Sequence, residues 1–129
     1  MAIAPLTVIT GNEELLVERA LKDLIASAGD GEVEVINLSA RSLQPGALVV
    51  AASPSLFGGA PMVVVDGVEN LVQSNPDVAE ALDEVMAYVA APSPDAMVVL
   101  VHGGGHGGKG VLNAAKKAGA SAIKTPTSP

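Results

Sequence analysis

Residues 97–119, MVVLVHGGGHGGKGVLNAAKKAG, hold the side chains and spacing most suggestive of chemistry. They read as an apolar strand, a glycine-rich loop ending in Gly-Lys, and a helix. Residues 103–109 satisfy the first seven positions of the phosphate-binding pattern G-x-x-x-x-G-K-[ST], with Gly103, Gly108 and Lys109 at its fixed places. Such a loop works because backbone N–H groups wrap the phosphates, the lysine neutralises them, and a Ser or Thr hydroxyl holds magnesium. Gly110 stands at the last place and has no hydroxyl, so the metal ligand is missing. Six glycines within residues 103–110 also make a chance match easy. The pattern follows the fourth strand of the chain, whereas a phosphate loop follows the first strand of such a domain. The loop is therefore read as a decoy, and no nucleotide-binding residue is assigned to it.

The other candidates are weaker. The turn after the first strand, TGNEELL, has one glycine, no lysine, and Glu13 and Glu14 in the first turn of the following helix. Carboxylates suit the positive end of a helix and repel an anion there. Asp66, closing MVVVD, resembles a magnesium-binding strand end, but without a phosphate loop it has nothing to serve and reads as a strand-to-loop transition. His102 and His106 flank three glycines that fix no metal geometry, and no neighbouring carboxylate completes a ligand set. Ser53 and Ser55 lack the glycine-flanked elbow of a hydrolase nucleophile. The sequence predicts no catalytic residue, no metal and no cofactor.

The elements that would position any site follow from periodicity. Residues 5–10 form a strand, and Thr10 with Glu13 has the spacing of a capping box for a helix running to about Ala28. Leu16, Ala20 and Leu24 stripe one face of it, with Val17, Leu21 and Ile25 beside them. A second strand covers 32–38, and Pro45 fits the first turn of a short helix over 46–52. MVVVD (62–66) and AMVVLV (96–101) are continuous apolar runs, as expected of strands buried on both faces. Between them Asp77 is placed to cap a helix to about Ala91, with Val78, Leu82, Val85, Met86 and Val89 inward. A helix over 109–118 ends at Gly119, and 121–125 is a last strand. Alternating strands and helices imply right-handed crossovers and an α/β, three-layer domain, with a mostly parallel sheet and helices on both faces.

Composition narrows the function classes. At 129 residues the chain fits one domain, which buries roughly two-thirds of its unfolded surface. Hydrophobic residues make up 49% but aromatic ones only 2%, Phe57 and Tyr88, so aromatic base-stacking platforms are excluded. The net charge is −7, and no Lys or Arg occurs between Ser42 and Gly108. That acidic middle disfavours direct nucleic-acid binding. After Gly108 come Lys109, Lys116, Lys117 and Lys124 with no acid among them, enough for one weak basic edge. Cysteine is absent, which removes disulfide and thiolate-zinc chemistry. The first ten residues lack a basic leader region, and no apolar run approaches membrane-spanning length, so a cytoplasmic protein with no membrane partner is expected. The tail KTPTSP reads as the start of a linker, giving a domain over 1–125 and linker at 126–129.

One stretch remains, SPSLFGG, residues 53–59. Leu56 and Phe57 are large, adjacent and apolar, between Ser-Pro-Ser and Gly-Gly. Adjacent side chains point different ways in a strand or helix, so both are hard to bury together at a loop tip. Exposed, the pair is an anchor for a pocket on a partner. Folded back, Phe57 caps the core instead, and composition alone leaves both readings open.

Several segments in order resemble a known family. PLTVITGNEELLVERAL, SPSLFGG leading into MVVVDG, the helix ending near AYVAAPSPD, and VVLVHGGGHGGKGVLNAAKKAGA together resemble the N-terminal domain of the delta subunit of bacterial DNA polymerase III. The Ala/Val/Gly-rich character looks like the actinobacterial branch. The resemblance implies an AAA+/RecA-like core lacking a functional phosphate loop, in the subunit of the clamp loader that binds and opens the ring-shaped sliding clamp during DNA replication. It also implies that Ser55, Leu56 and Phe57 plug the clamp's hydrophobic peptide pocket, which favours the exposed reading. Such a chain has no catalytic site of its own within the polymerase holoenzyme, a DNA-directed nucleotidyltransferase complex. It meets DNA only indirectly, through the complex. The family continues into lid and collar domains that join it to the other loader subunits, and neither is expected in this chain. The alternative is a small α/β nucleotide-binding domain using the 103–110 loop. A response-regulator-like module is disfavoured, because no acidic pocket follows the first strand.

Overall fold

The computed structural model describes residues 5–28, 34–52, 61–71, 76, 78–92, 96–104 and 107–125. Five strands form one sheet: β1 (Leu6–Thr10), β2 (Val35–Ser39), β3 (Met62–Asp66), β4 (Met97–His102) and β5 (Ser121–Lys124). The order across the sheet is β2-β3-β4-β1-β5, and every neighbouring pair is parallel. Among the described residues four helices lie between them: α1 (Glu14–Ala28), α2 (Ala47–Ala51), α3 (Ala79–Ala90) and α4 (Lys109–Lys117).

The valine-rich runs become the central strands because β-branched side chains pack well on a pleated surface covered on both sides. Their alternation divides the core in two. Leu6, Val8, Val63, Val65, Val98 and Leu100 face the layer containing α2, α3 and α4. Ile9, Met62, Val64, Val99 and Val101 face α1, which packs on them through Val17, Ala20, Leu21, Leu24 and Ile25. The sheet is thus the middle of three layers. Edge strands β2 and β5 are more exposed than the central three, as their mixed sequences require.

Three expected helix starts move. Thr10 does not cap α1, because it is the last residue of β1 and its carbonyl accepts the Thr125 N–H at 2.9 Å. Glu13 takes the first position instead, its carbonyl accepting the N–H groups of Leu16 and Val17 at 3.1 and 3.0 Å. Pro45 precedes α2 rather than sitting in its first turn, since Gly46 is the residue before the helix and has a left-handed φ of 87°. Val78 stands before α3 without a side-chain cap, and Asp77 lies outside the described residues. The inward stripe of α3 is as expected, with Val78, Leu82, Val85 and Val89 buried and Met86 packed against them. Helix α4 ends as expected too, with Gly119 at φ 84°. Among the described residues no helix is long and apolar enough to cross a membrane.

Candidate functional site

In a parallel sheet the carboxyl ends of all strands lie along one edge. Here Thr10, His102 and Lys124 close β1, β4 and β5 side by side. They are stitched together. The Gly11 N–H donates to the His102 carbonyl at 3.1 Å, and the Thr125 hydroxyl donates to the Thr10 carbonyl at 3.3 Å.

The glycine-rich loop begins at this edge. His102 is only 2% exposed, and its ring holds the loop from below. Nδ1 accepts the Gly104 N–H at 3.0 Å, and Nε2 lies 2.6 Å from the Gly107 carbonyl. The tautomer with its proton on Nε2 satisfies both partners. The Gly103 N–H donates to Glu69 Oε1 at 2.8 Å. Glu69 belongs to a short 3-10 turn, Val68–Asn70, that follows β3. A Cβ at Gly103 would lie 2.6 Å from Glu69 Oε2, and one at Gly108 would lie 2.3 Å from the Val68 carbonyl oxygen. Gly108 also has a φ of 73°. Two of the loop's N–H groups therefore already serve a carboxylate and an imidazole, and two of its glycines let the backbone lie on the Val68–Asn70 turn. Lys109, the first residue of α4, is exposed.

The turn after β1 carries its acids as the sequence predicts, with Glu14 exposed in the first turn of α1. Asp66 is exposed at the end of β3. Among the described residues no group of three or more metal-ligating side chains comes together.

A cleft of about 430 Å³ opens beside the loop, between α4 and the carboxyl ends of β1 and β5. Lys109, Lys116 and Lys124 all line it. The expected basic edge is thus a concave site for three of the four lysines, with Lys117 outside its lining. Sequence spacing holds part of the signal, since positions 109 and 116 are two helical turns apart and share a face.

Ser55, Leu56 and Phe57 lie outside the described residues. The chain is described up to Ala52 and again from Pro61. Helix α2 leads towards them and is bound to α3, because the Glu84 carboxylate accepts the N–H of Gly46 and, at 3.4 Å, that of Val49. Val49 and Val50 on α2 are 54% and 73% exposed. The chain returns through Pro61, which is buried, into β3.

No family model and no curated protein matches the sequence. Among solved structures, a Bacillus subtilis DNA clamp loader delta protein (YqeN) superposes over 98% of this chain with a TM-score of 0.77 at 16% identity. The fold is delta-like. The chain spans 39% of that protein's length. The neighbour comes from Bacillus, so the likeness bears on the delta-like fold and not on the actinobacterial branch.

Proposed function

We propose that this chain is the clamp-binding domain of a DNA clamp loader's delta subunit, acting without catalysis of its own. The observation that carries this reading is the delta-like fold over nearly the whole chain. In this reading residues 1–125 are the AAA+-like domain, 126–129 begin a linker, and Ser55, Leu56 and Phe57 enter a hydrophobic pocket on the sliding clamp. Two features support it. The exposed Val50 on α2, tethered through Glu84, provides an apolar surface next to that segment. The conventional nucleotide position after β1 carries Glu13 and Glu14 instead of a lysine. Energy for releasing the clamp then comes from ATP in neighbouring loader subunits of the polymerase III assembly, and DNA is met only through that complex.

The test is capture of the sliding clamp from the same organism by the immobilised chain, comparing wild type with Leu56→Ala/Phe57→Ala. Truncating anchor side chains typically costs at least about 2 kcal/mol each, so the double variant should lose roughly 100-fold or more in affinity. Its circular dichroism should not change. Equal clamp affinity for the two proteins refutes the assignment of the pair.

A further inference from the structure

We propose that the outer edge of β5 pairs with an extended acidic segment of a partner protein, whose carboxylates meet Lys109, Lys116 and Lys124. Strand β5 ends the sheet, so among the described residues no strand lies beside its outer edge. The Thr125 N–H donates to the Thr10 carbonyl on the β1 side. Backbone groups of successive strand residues point to opposite sides. Ile123 therefore also bonds towards β1, and the N–H and C=O groups of Ala122 and Lys124 point outward. Those outward groups are what a partner bonds when it adds a strand to a sheet.

The side chains beside that edge specify the partner. All 14 acidic residues of the chain precede Lys109, and residues 109–129 hold four lysines and no acid. Ile123 turns to α1, whereas Ala122 and Lys124 turn to the cleft beside α4. Helix α4 leaves this side of β5 open, since Ala122 is exposed although apolar. A strand laid outside β5 sits about 4.8 Å away, and every second side chain on it leans over Ala122 into the cleft. Lys109 and Lys116 stand there about 10 Å apart along α4, with Lys124 on β5. Carboxylates two or four residues apart on an extended segment are about 7 or 13 Å apart, a span that flexible lysine stems cover. Lysines on both walls thus fit a chain carrying several spaced carboxylates rather than one compact anion. A second copy of β5 is a poor occupant, because lysines would face lysines, and charged edges of this kind keep copies apart. Nucleic acid is repelled by the acidic remainder of the chain and has no amide edge to pair. The other edge strand, β2, holds no charged residue over Val35–Ser39, so an acidic segment selects β5.

The experiment is titration of the isotope-labelled 129-residue chain with a capped peptide alternating Thr and Glu over ten residues, followed by NMR and amide exchange. Binding with a dissociation constant of about 1 mM or tighter is expected. Exchange should slow at the Ala122 and Lys124 amides and stay unchanged at Ile123, which β1 already holds. The three lysines are exposed, so Lys109→Gln/Lys116→Gln/Lys124→Gln should fold normally. It should bind the peptide about tenfold more weakly, since each exposed charge contact is worth a few-fold. Ala122→Pro removes an outward N–H that the β1 ladder does not use, and should weaken binding by a similar factor. A peptide alternating Thr and Lys should not bind. Unslowed exchange at Ala122 and Lys124 overturns the proposal, as does unchanged affinity of the triple variant or equal binding of the Thr-Lys peptide. An oligothymidylate that slows the same amides would make the edge a nucleic-acid contact. Dimers that protect them without peptide would make it a self-association surface, and either result also overturns the proposal. None of these outcomes depends on clamp capture.

Discussion

Replacing Gly108 and, separately, Gly110 by alanine tests what the glycine-rich loop is for. Gly108 has a φ of 73°, where an L-residue costs about 1–2 kcal/mol. A Cβ there would stand 2.3 Å from the Val68 carbonyl oxygen, 2.9 Å from its carbon and 3.2 Å from Glu69 Cα. All three are backbone atoms, so no rotamer change relieves the clash and the Val68–Asn70 turn must shift. Overpacking of that kind costs about 1–3 kcal/mol, for a total near 2–5 kcal/mol. Gly110 differs on each count. It lies in the first turn of α4 without a positive φ, it is exposed, and a Cβ there meets nothing within 4 Å. Alanine at that position should stabilise by about 0.5–1 kcal/mol, the ordinary gain over glycine in a helix. In a domain of this size 1 kcal/mol moves the melting temperature by roughly 3–5 °C. Gly108→Ala should therefore melt at least about 6 °C below wild type, and Gly110→Ala a few degrees above it. Thermal and urea unfolding measure both. A Gly108→Ala protein within about 0.5 kcal/mol of wild type would refute the packing of the loop on the Val68–Asn70 turn.

Two further substitutions probe the neighbouring contacts. Gly110→Ser completes the eight-residue phosphate-loop pattern, yet it should give no magnesium-dependent ATP binding, because the N–H groups of Gly103 and Gly104 are already bound to Glu69 and His102. Calorimetry with and without magnesium decides this, and an ATP affinity that rises with magnesium refutes the reasoning. Glu84→Ala removes the acceptor for Gly46 and Val49 at the start of a five-residue helix, and should destabilise by about 1–2 kcal/mol. Urea unfolding measures the loss, and hydrogen exchange should show it concentrated in α2.

Sequence periodicity was sufficient wherever an element's partners were apolar. The runs at 62–66 and 96–101 place β3 and β4 in the middle of the sheet, and the α3 stripe lies where spacing puts it. It was insufficient where a polar group found its partner far along the chain. Thr10 has the spacing of a helix cap, but its carbonyl is taken by Thr125, 115 residues away. Gly103 and Gly108 fit a phosphate pattern, but their absent side chains make room for Glu69 and Val68, which come some 34 to 40 residues earlier. Local pattern reading has no access to such contacts, because register between distant strands decides them. The lysines are an intermediate case. Their clustering after Gly108 is plain in the sequence, but the cleft exists only once β5 is laid beside β1. The segment holding Leu56 and Phe57 stands on its sequence, outside the described residues.

The parallel sheet also separates the lysine-lined cleft from Pro61, the described residue at which the chain re-enters the sheet. Lys124, Thr10 and His102 close their strands at the carboxyl edge, where the lysine cleft opens. Pro61, through which the chain returns from the Ser55–Leu56–Phe57 segment, joins the amino end of β3, and its carbonyl accepts the Met97 N–H at 2.9 Å, where β4 begins. Five residues of strand, roughly 17 Å, lie between those edges. Pro61 therefore lies at the opposite edge of the sheet from the cleft that Lys109, Lys116 and Lys124 line. The strands between those edges are buried on both faces, and Glu84 joins α2 to α3 over one of them.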